Sequence, residues 1–411
     1  MSYFSLNSYR LYTISLLSIG FFLASCEKPR PVVAQEQKKD VIQLPSLPKS
    51  READDIARFF AALPASEGSP LAELEKSPIW TSHKTQMDTA WAKTDLQLLQ
   101  GLRQFSNDEL NLPIVAGRTV YYPFSGPDMM VPSYYFPKAP LYILVGLEPP
   151  GTLPTIEQIQ KKANVPTYLA AMRETMASIL GRSFFVTKEM DSELRGQVTD
   201  GILMPMLHLL VRTNHTILGV RYVRVGDGGR IVERPAVYKT DAKYANRGVE
   251  VEFTSAPGAP SQRAYYFSVN VDDKHLGDNA PFRAFLARVK DVLTFLKATS
   301  YMTHHPEFSI IRDHAVASSV LVIQDDSGIP FRFFMPDQWT VKLFGAYDKP
   351  YGSFRYMQQK DLRDAFKTAS AKPLPMHIGY GYRRIESNVE LAIRNGAKPL
   401  VEETAAVQPQ K

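Results

Sequence analysis

Five blocks of this sequence recur in the same order with a small drift in offset. A duplication constrains architecture more than any local motif, because both copies must then fold into the same unit. The run from Leu141 to Glu148 resembles Tyr265 to Asp272, and Asn164-Val165-Pro166 is matched by Asn279-Ala280-Pro281. Each of the latter places a capping Asn and an early Pro where a helix should begin. Tyr168 to Arg195 then aligns without a gap with Phe285 to Arg312. Leu209-Leu210-Val211 aligns with Val320-Leu321-Val322, and Val220 to Val223 with Phe331 to Phe334. The stripe Tyr168, Leu169, Met172, Met176 and Ile179, set against Phe285, Leu286, Val289, Leu293 and Leu296, has helical spacing that any two amphipathic helices would share. The blocks outside it are what argue for duplication.

The expected fold is therefore α+β, with two tandem related units over 113–240 and 241–400. Each is expected to hold a buried strand, a long helix, a short second helix and a β-hairpin. The hairpin turns are placed at Asp325-Asp326-Ser327-Gly328 and at Thr213-Asn214-His215. A helical N-terminal segment over 51–112 precedes them, where Ile56, Phe59, Phe60 and Leu63 keep helical spacing and Pro64, Pro70 and Pro78 break the helices. Leu141 to Leu147 is apolar on both parities and should be a buried strand.

At the N-terminus Arg10 precedes an apolar run, Leu11 to Leu23, too short to span a bilayer comfortably. It ends in Leu23-Ala24-Ser25-Cys26, which resembles the lipobox of bacterial lipoproteins. That resemblance implies a signal peptide over 1–25, diacylation at Cys26, and anchorage to a membrane through the N-terminal lipid. Cys26 is the single cysteine of the 411 residues, so no internal disulfide competes for it. Glu27 in place of an aspartate implies the outer membrane, facing the periplasm or the cell surface. Residues 26–50, with Pro29, Pro31, Pro45 and Pro48, read as a disordered tether, and 401–411 as a disordered tail.

A formal charge of +6 with scattered basic residues offers no concentrated stripe for nucleic acid, so no nucleic-acid partner is expected. The sequence holds no Gly-x-Ser-x-Gly, His-Glu-x-x-His, Walker or dinucleotide motif, and no cofactor is expected. Four groups carry chemistry. Where the units differ, the second is the more polar, which makes Asp272, Asp273, Asp325 and Asp326 candidate ligand-binding residues in solvated turns. Ser125 and Asp128 on a rigid Gly-Pro turn, with Glu148 at a strand end, are the candidate catalytic residues of an alternative, hydrolytic reading. His304 and His305 are weak candidates for a metal, because adjacent imidazoles point apart and Pro306 marks a solvated turn. The aromatic groups Tyr134-Tyr135-Phe136 and Trp339, Tyr347, Tyr351 and Tyr356 read as core before glycan platform.

The passages Tyr122 to Asp128, Gly146 to Pro149 and Gln324 to Pro330 resemble recurring phrases of an uncharacterised family of exported bacterial proteins over 115–395, which implies no activity. Two readings follow. The first is an envelope lipoprotein acting as a binding or scaffolding module for an envelope protein or glycan. The second is an envelope hydrolase using Asp128, Glu148 or Asp325. The carboxylates of an enzyme should converge in one dry, concave pocket, and those of a binding module should stay scattered.

Overall fold

The computed structural model describes residues 44–161, 164–182, 201–235, 246–381 and 387–400. The chain enters through α1 (Arg51–Phe60), α2 (Ala72–Glu75), α3 (Pro78–Thr94) and α4 (Gln100–Phe105). π-helical segments Asp95–Leu99 and Ser106–Leu110 extend the last two into one continuous rod. Ser50 caps α1 and Ser77 caps α3, where Pro78 in the first turn needs no amide partner. Then come β1 (Val120–Pro123), α5 (Met130–Tyr135), β2 (Leu141–Gly146), α6 (Ile156–Gln160), α7 (Val165–Arg182) and α8 (Leu203–Arg212). β3 (Thr216–Val225), β4 (Ile231–Glu233), β5 (Arg247–Thr254) and β6 (Gln262–Ser268) follow, then α9 (Asp273–Asp278) and α10 (Ala280–Leu286). The chain closes with β7 (Val292–Leu296), α11 (Ser309–Ser318), β8 (Ser319–Gln324), β9 (Trp339–Gly345), α12 (Lys360–Thr368) and β10 (Asn388–Arg394).

The strands form one ten-stranded sheet in the order β4-β3-β5-β6-β2-β1-β7-β8-β10-β9. Its centre, β6 to β8, is parallel throughout. Antiparallel strands extend it on both sides. Every residue of β1, β2, β7 and β8 is buried, as parallel strands covered on both faces must be. Alternate residues feed two cores. Val120, Tyr122, Tyr142 and Leu144 pack with the N-terminal helices, α5, α7 and α8. Tyr121, Leu141, Ile143 and Val145 pack with α10 and α11 on the other face. Each fully buried Tyr or Phe contributes on the order of 1.5–3 kcal/mol by leaving water.

β2 lies on one side of β1 and β8 on the far side of β7. Crossovers between parallel strands keep one hand, so two that step in opposite directions place their helices on opposite faces. α5 accordingly contributes Met130 and Val131 to the first core, and α11 contributes Ile311 and Ala315 to the second. The chain thus diverges between β1 and β7, which leaves a crevice at their carboxyl ends.

The tandem units are not found at the expected offset. Phe285 to Leu296, expected as a helix matching Tyr168 to Ile179, divides into the end of α10 and strand β7. Leu209-Leu210-Val211 lies in α8 and Val320-Leu321-Val322 in β8, so helix is aligned with strand. Phe331–Phe333 is a single 3-10 turn where Val220 to Val223 is β-strand. Thr213 to His215 joins a helix to a strand, with Asn214 left-handed at φ 66°, and Asp325 to Gly328 follows a parallel strand; neither is a hairpin turn. Strands of the two expected units also interleave, β6 beside β2 and β7 beside β1.

The end of the expected tether is docked. Arg221 Nη2 donates to the Pro45 carbonyl at 2.8 Å, Arg263 Nη2 to Ser46 Oγ at 3.0 Å, and the Leu47 amide to Glu252 Oε2 at 2.8 Å. Segment 44–50 therefore crosses β3, β5 and β6, held by polar side chains that extend from the sheet. Cys26 and the tail 401–411 lie outside the described residues.

Candidate functional site at the carboxyl edge of the parallel strands

Five parallel strands end on the same edge, and each is followed by polar chain: Ser125 to Asp128, Glu148, Asn270 to Asp273, Lys297 to Ser300, and Asp325 to Ser327. A cleft of roughly 750 Å³, its open mouth included, lies among them at the crevice between β1 and β7. Its polar lining includes Ser125, Glu148, Asn270, Lys297 and Ser300, and its apolar walls include Phe124, Leu147, Val271 and Phe308.

Lys297 sits at the floor directly after β7, buried to 4% exposure. Its Nζ lies 2.5 Å from Asp128 Oδ2, which also accepts from Tyr122 Oη at 3.2 Å, while Asp128 Oδ1 accepts from the Val131 amide at 3.2 Å. Asp128 is thus a helix cap and a counter-ion together, and every oxygen it has is engaged. Ser125 Oγ donates to the carbonyls of Gly126 and Val145, at 2.9 and 3.3 Å, and among the described residues no His, Asp or Glu side chain hydrogen-bonds to it. Glu148 is 7% exposed, and Tyr266 Oη donates to its Oε2 at 3.2 Å and to its carbonyl at 2.9 Å. A Cβ on Gly146 would meet that Oη at 2.6 Å and Glu148 Oε2 at 2.8 Å, so only glycine lets the two approach.

The loops lining the cleft are left-handed at non-glycine residues: Phe124 at φ 62°, Ala298 at 51°, Ser300 at 55°, and Tyr301, next in chain, at 57°. Each such residue costs on the order of 1–3 kcal/mol unless its surroundings fix it. The surroundings here are three side chains that take three successive amides. Asp325 Oδ2 accepts from Ala298 N at 2.9 Å, Ser327 Oγ from Thr299 N at 2.9 Å, and Tyr380 Oη from Ser300 N at 3.1 Å. Gly379 lies directly against Asp325, where a side chain would collide with the carboxylate.

Asp325 and Asp326 are therefore not the solvated turn carboxylates expected, but buried braces of the loop that carries Lys297. Asp325 Oδ1 also takes Ser327 N at 3.0 Å; Asp326 accepts from Tyr301 Oη, and from Asn388 Nδ2 at 3.0 Å. Burial raises both, and the Asp325 charge adds to the rise at Asp326, which reaches about 7. Glu390, fully buried beside Gln324, is pushed well up by burial first and by Asp326 next. Asp272 and Asp273 serve as helix caps. Asp272 takes the His275 amide at 2.9 Å at the start of α9, and Asp273 takes Ser309 N, Ser309 Oγ and Ile310 N at the start of α11.

His304 has a buried Nε2 without a partner, and burial lowers it to about 4; among the described residues no group of three or more His, Cys, Asp or Glu is arranged for a metal. Tyr135, Phe136, Trp339 and Tyr347 are core residues, and Tyr351 and Tyr356 are exposed. The expected residues thus divide. Ser125 and Glu148 line the cleft, Asp128 and Asp325 support its floor, Asp326 lies behind Tyr301, and Asp272 and Asp273 cap helices next in chain to the lining residues Val271 and Phe308 without lining the cleft themselves. Lys297, Tyr122, Tyr301 and Glu390 were not expected. Lys297-Ala298-Thr299-Ser300 follows the five-residue run Val292 to Leu296, apolar but for Thr294, which is the signal of a polar strand end once that run is recognised as a strand.

The fold and cleft define an open, mixed α/β protein with a concave site where its chain diverges. Compared with family models, with curated proteins and with solved structures, the chain matches none.

Proposed function

We propose that this is an envelope lipoprotein, anchored at the outer membrane through Cys26, whose folded part is a binding module for a compact, partly apolar ligand such as a piece of an envelope protein or glycan. The observation that supports it is the cleft at the divergence of β1 and β7, lined by a loop that Asp325, Ser327 and Tyr380 hold in a strained form. Open α/β sheets bind ligands at this crevice, and strain concentrates where a site must be pre-formed. Among the described residues no helix is long and apolar enough to cross a membrane. The anchor is tested by Cys26→Ser, which should abolish acyl labelling and release the protein from membranes.

The cleft is tested with an uncharged apolar dye, N-phenyl-1-naphthylamine. Its fluorescence should rise saturably with one site per chain, and Leu147→Asp at the exposed rim should weaken binding about tenfold or more, since burying a Leu is worth roughly 1.5–3 kcal/mol. Equal dye binding by the variant refutes this assignment.

The hydrolase reading is favoured by one observation, the convergence of Asp128, Asp325 and Asp326 beneath the floor, with Asp326 raised into the range of a proton donor at neutral pH. Their hydrogen bonds commit them to bracing. Turnover of p-nitrophenyl esters or glycosides that Asp326→Asn abolishes would reverse this order of preference.

A further inference from the structure

We infer, on the reading of this cleft as a ligand site, that the ligand is a monocationic amine with an apolar body and that Glu148 holds its ammonium group. The argument is one of charge and shape. Lys297 and Asp128 lie 2.5 Å apart and compensate each other, so this pair leaves no net charge for the ligand to answer. Glu148 lines the same cleft at 7% exposure, yet its neighbours are a phenol and backbone. Among the described residues no Lys, Arg or His nitrogen lies within ion-pair distance of it. A carboxylate removed from water without a cation costs several kcal/mol. Gly146 and Tyr266 nonetheless keep it at the cleft wall, its Oε2 bound to Tyr266 and its Oε1 open to a donor.

The next carboxylate inward adds the same sign. The Lys297 charge acts on Asp325, and Lys297 is already engaged by Asp128. An anionic ligand would bring a further negative charge to a wall that, among the described residues, has no free cation. A monocation offsets Glu148, the carboxylate among the residues that line the cleft. The walls suit such a ligand, because Phe124 and Phe308 meet edge to face with ring centroids 6.0 Å apart beside Leu147 and Val271. They offer apolar area for the body and ring faces for the charge.

The test is calorimetric titration of the full chain at pH 7 with three matched compounds, 2-phenylethylamine, 2-phenylethanol and 3-phenylpropionate, with the uncharged dye as reference. The amine should bind about tenfold or more tightly than the alcohol, and the acid most weakly. Glu148→Gln, which keeps an acceptor for Tyr266, should erase that preference, bringing amine and alcohol to within about twofold of each other. A preference for the acid or the alcohol overturns the inference, as does an amine preference that survives Glu148→Gln. If none of the three binds while the dye does, the amine is wrong and the cleft stands; if the dye fails as well, the cleft reading itself falls. Should Glu148→Gln not fold, the ratio of amine to alcohol in the unaltered protein decides the matter alone.

Discussion

Lys297 is held at the end of β7 by one carboxylate, and neither partner of that pair has water to fall back on. Removing the cation leaves Asp128 charged among Tyr122, the Val131 amide and the apolar floor, a loss on the order of 3–5 kcal/mol. Lys297→Met should therefore lower stability by about that amount in urea unfolding. Lys297→Met combined with Asp128→Asn should recover part of it, because no buried charge is then unpaired. If the double variant is as unstable as the sum of the two single ones, the ion pair is not what holds the floor. Asp325 makes a second case. Alanine there frees the Ala298 and Ser327 amides in a buried loop, each worth about 1–3 kcal/mol. A destabilisation of roughly 2–5 kcal/mol is expected, measured with the same denaturant. The sequence points to Asp325 and Asp326, but as exposed turn residues, since Asp-Asp-Ser-Gly is turn chemistry wherever it stands. That its amides and carboxylates face a loop from β7 depends on pairing across the sheet, which local residue types do not encode.

At the scale of elements, what was legible followed from what periodicity can distinguish. The stripe of α7 and the buried strand β2 were both readable, one by its 3.6-residue spacing and the other by its length and flanking turns. β7 was not, because a strand buried on both faces shows no two-residue alternation, and Val289, Leu293 and Leu296 also fit a helical stripe. Reading β7 as helix removed the parallel neighbour of β1, and with it the crevice and Lys297. The capping Asn279 and early Pro281 were read correctly, and Asn279 accepts from the Phe282 amide at 3.2 Å, but the helix they start ends at Leu286. The docked segment 44–50 shows a different limit. Its prolines signal a chain that cannot order itself, and it is ordered here by Arg221, Arg263 and Glu252, which lie more than a hundred residues away. Arg263→Ala removes its bonds to Leu44 and Ser46 and leaves Glu250 with Arg221 alone. Proteolysis within 44–50 should then accelerate several-fold, read from the cleavage rate under native conditions, with the sheet intact. An unchanged rate would show that the apolar contacts of Leu44 and Leu47 hold the segment without the arginine.

For the whole molecule, two sets of buried titratable groups oppose each other across mildly acid pH. Burial holds His83, His304 and His314 at about 4 and lowers His208 and His215, against about 6.5 in an unfolded chain. Between those values the unfolded state binds the protons, so these histidines make stability rise with pH. Asp325, Asp326 and Glu390 are shifted up by burial, and the last two also by the neighbouring carboxylate charges, Asp326 to about 7 against about 3.9 unfolded. Between those values the folded state binds the protons, so these carboxyls make stability fall as pH rises. The two slopes overlap from about pH 4.5 to 6.5 and partly offset one another, five histidines against three carboxyls, so the unaltered protein should still gain stability as pH rises there. Asp326→Asn removes one carboxyl from the falling set and none from the rising one. The stability of the variant relative to the parent should therefore climb by about 1.4 kcal/mol for each pH unit across that window, whatever the constant cost of the substitution. Urea midpoints at four or five pH values measure that climb. A difference that stays level with pH would mean that Asp326 is already ionised in the folded protein, with Tyr301 and Asn388 sufficient to hold its charge.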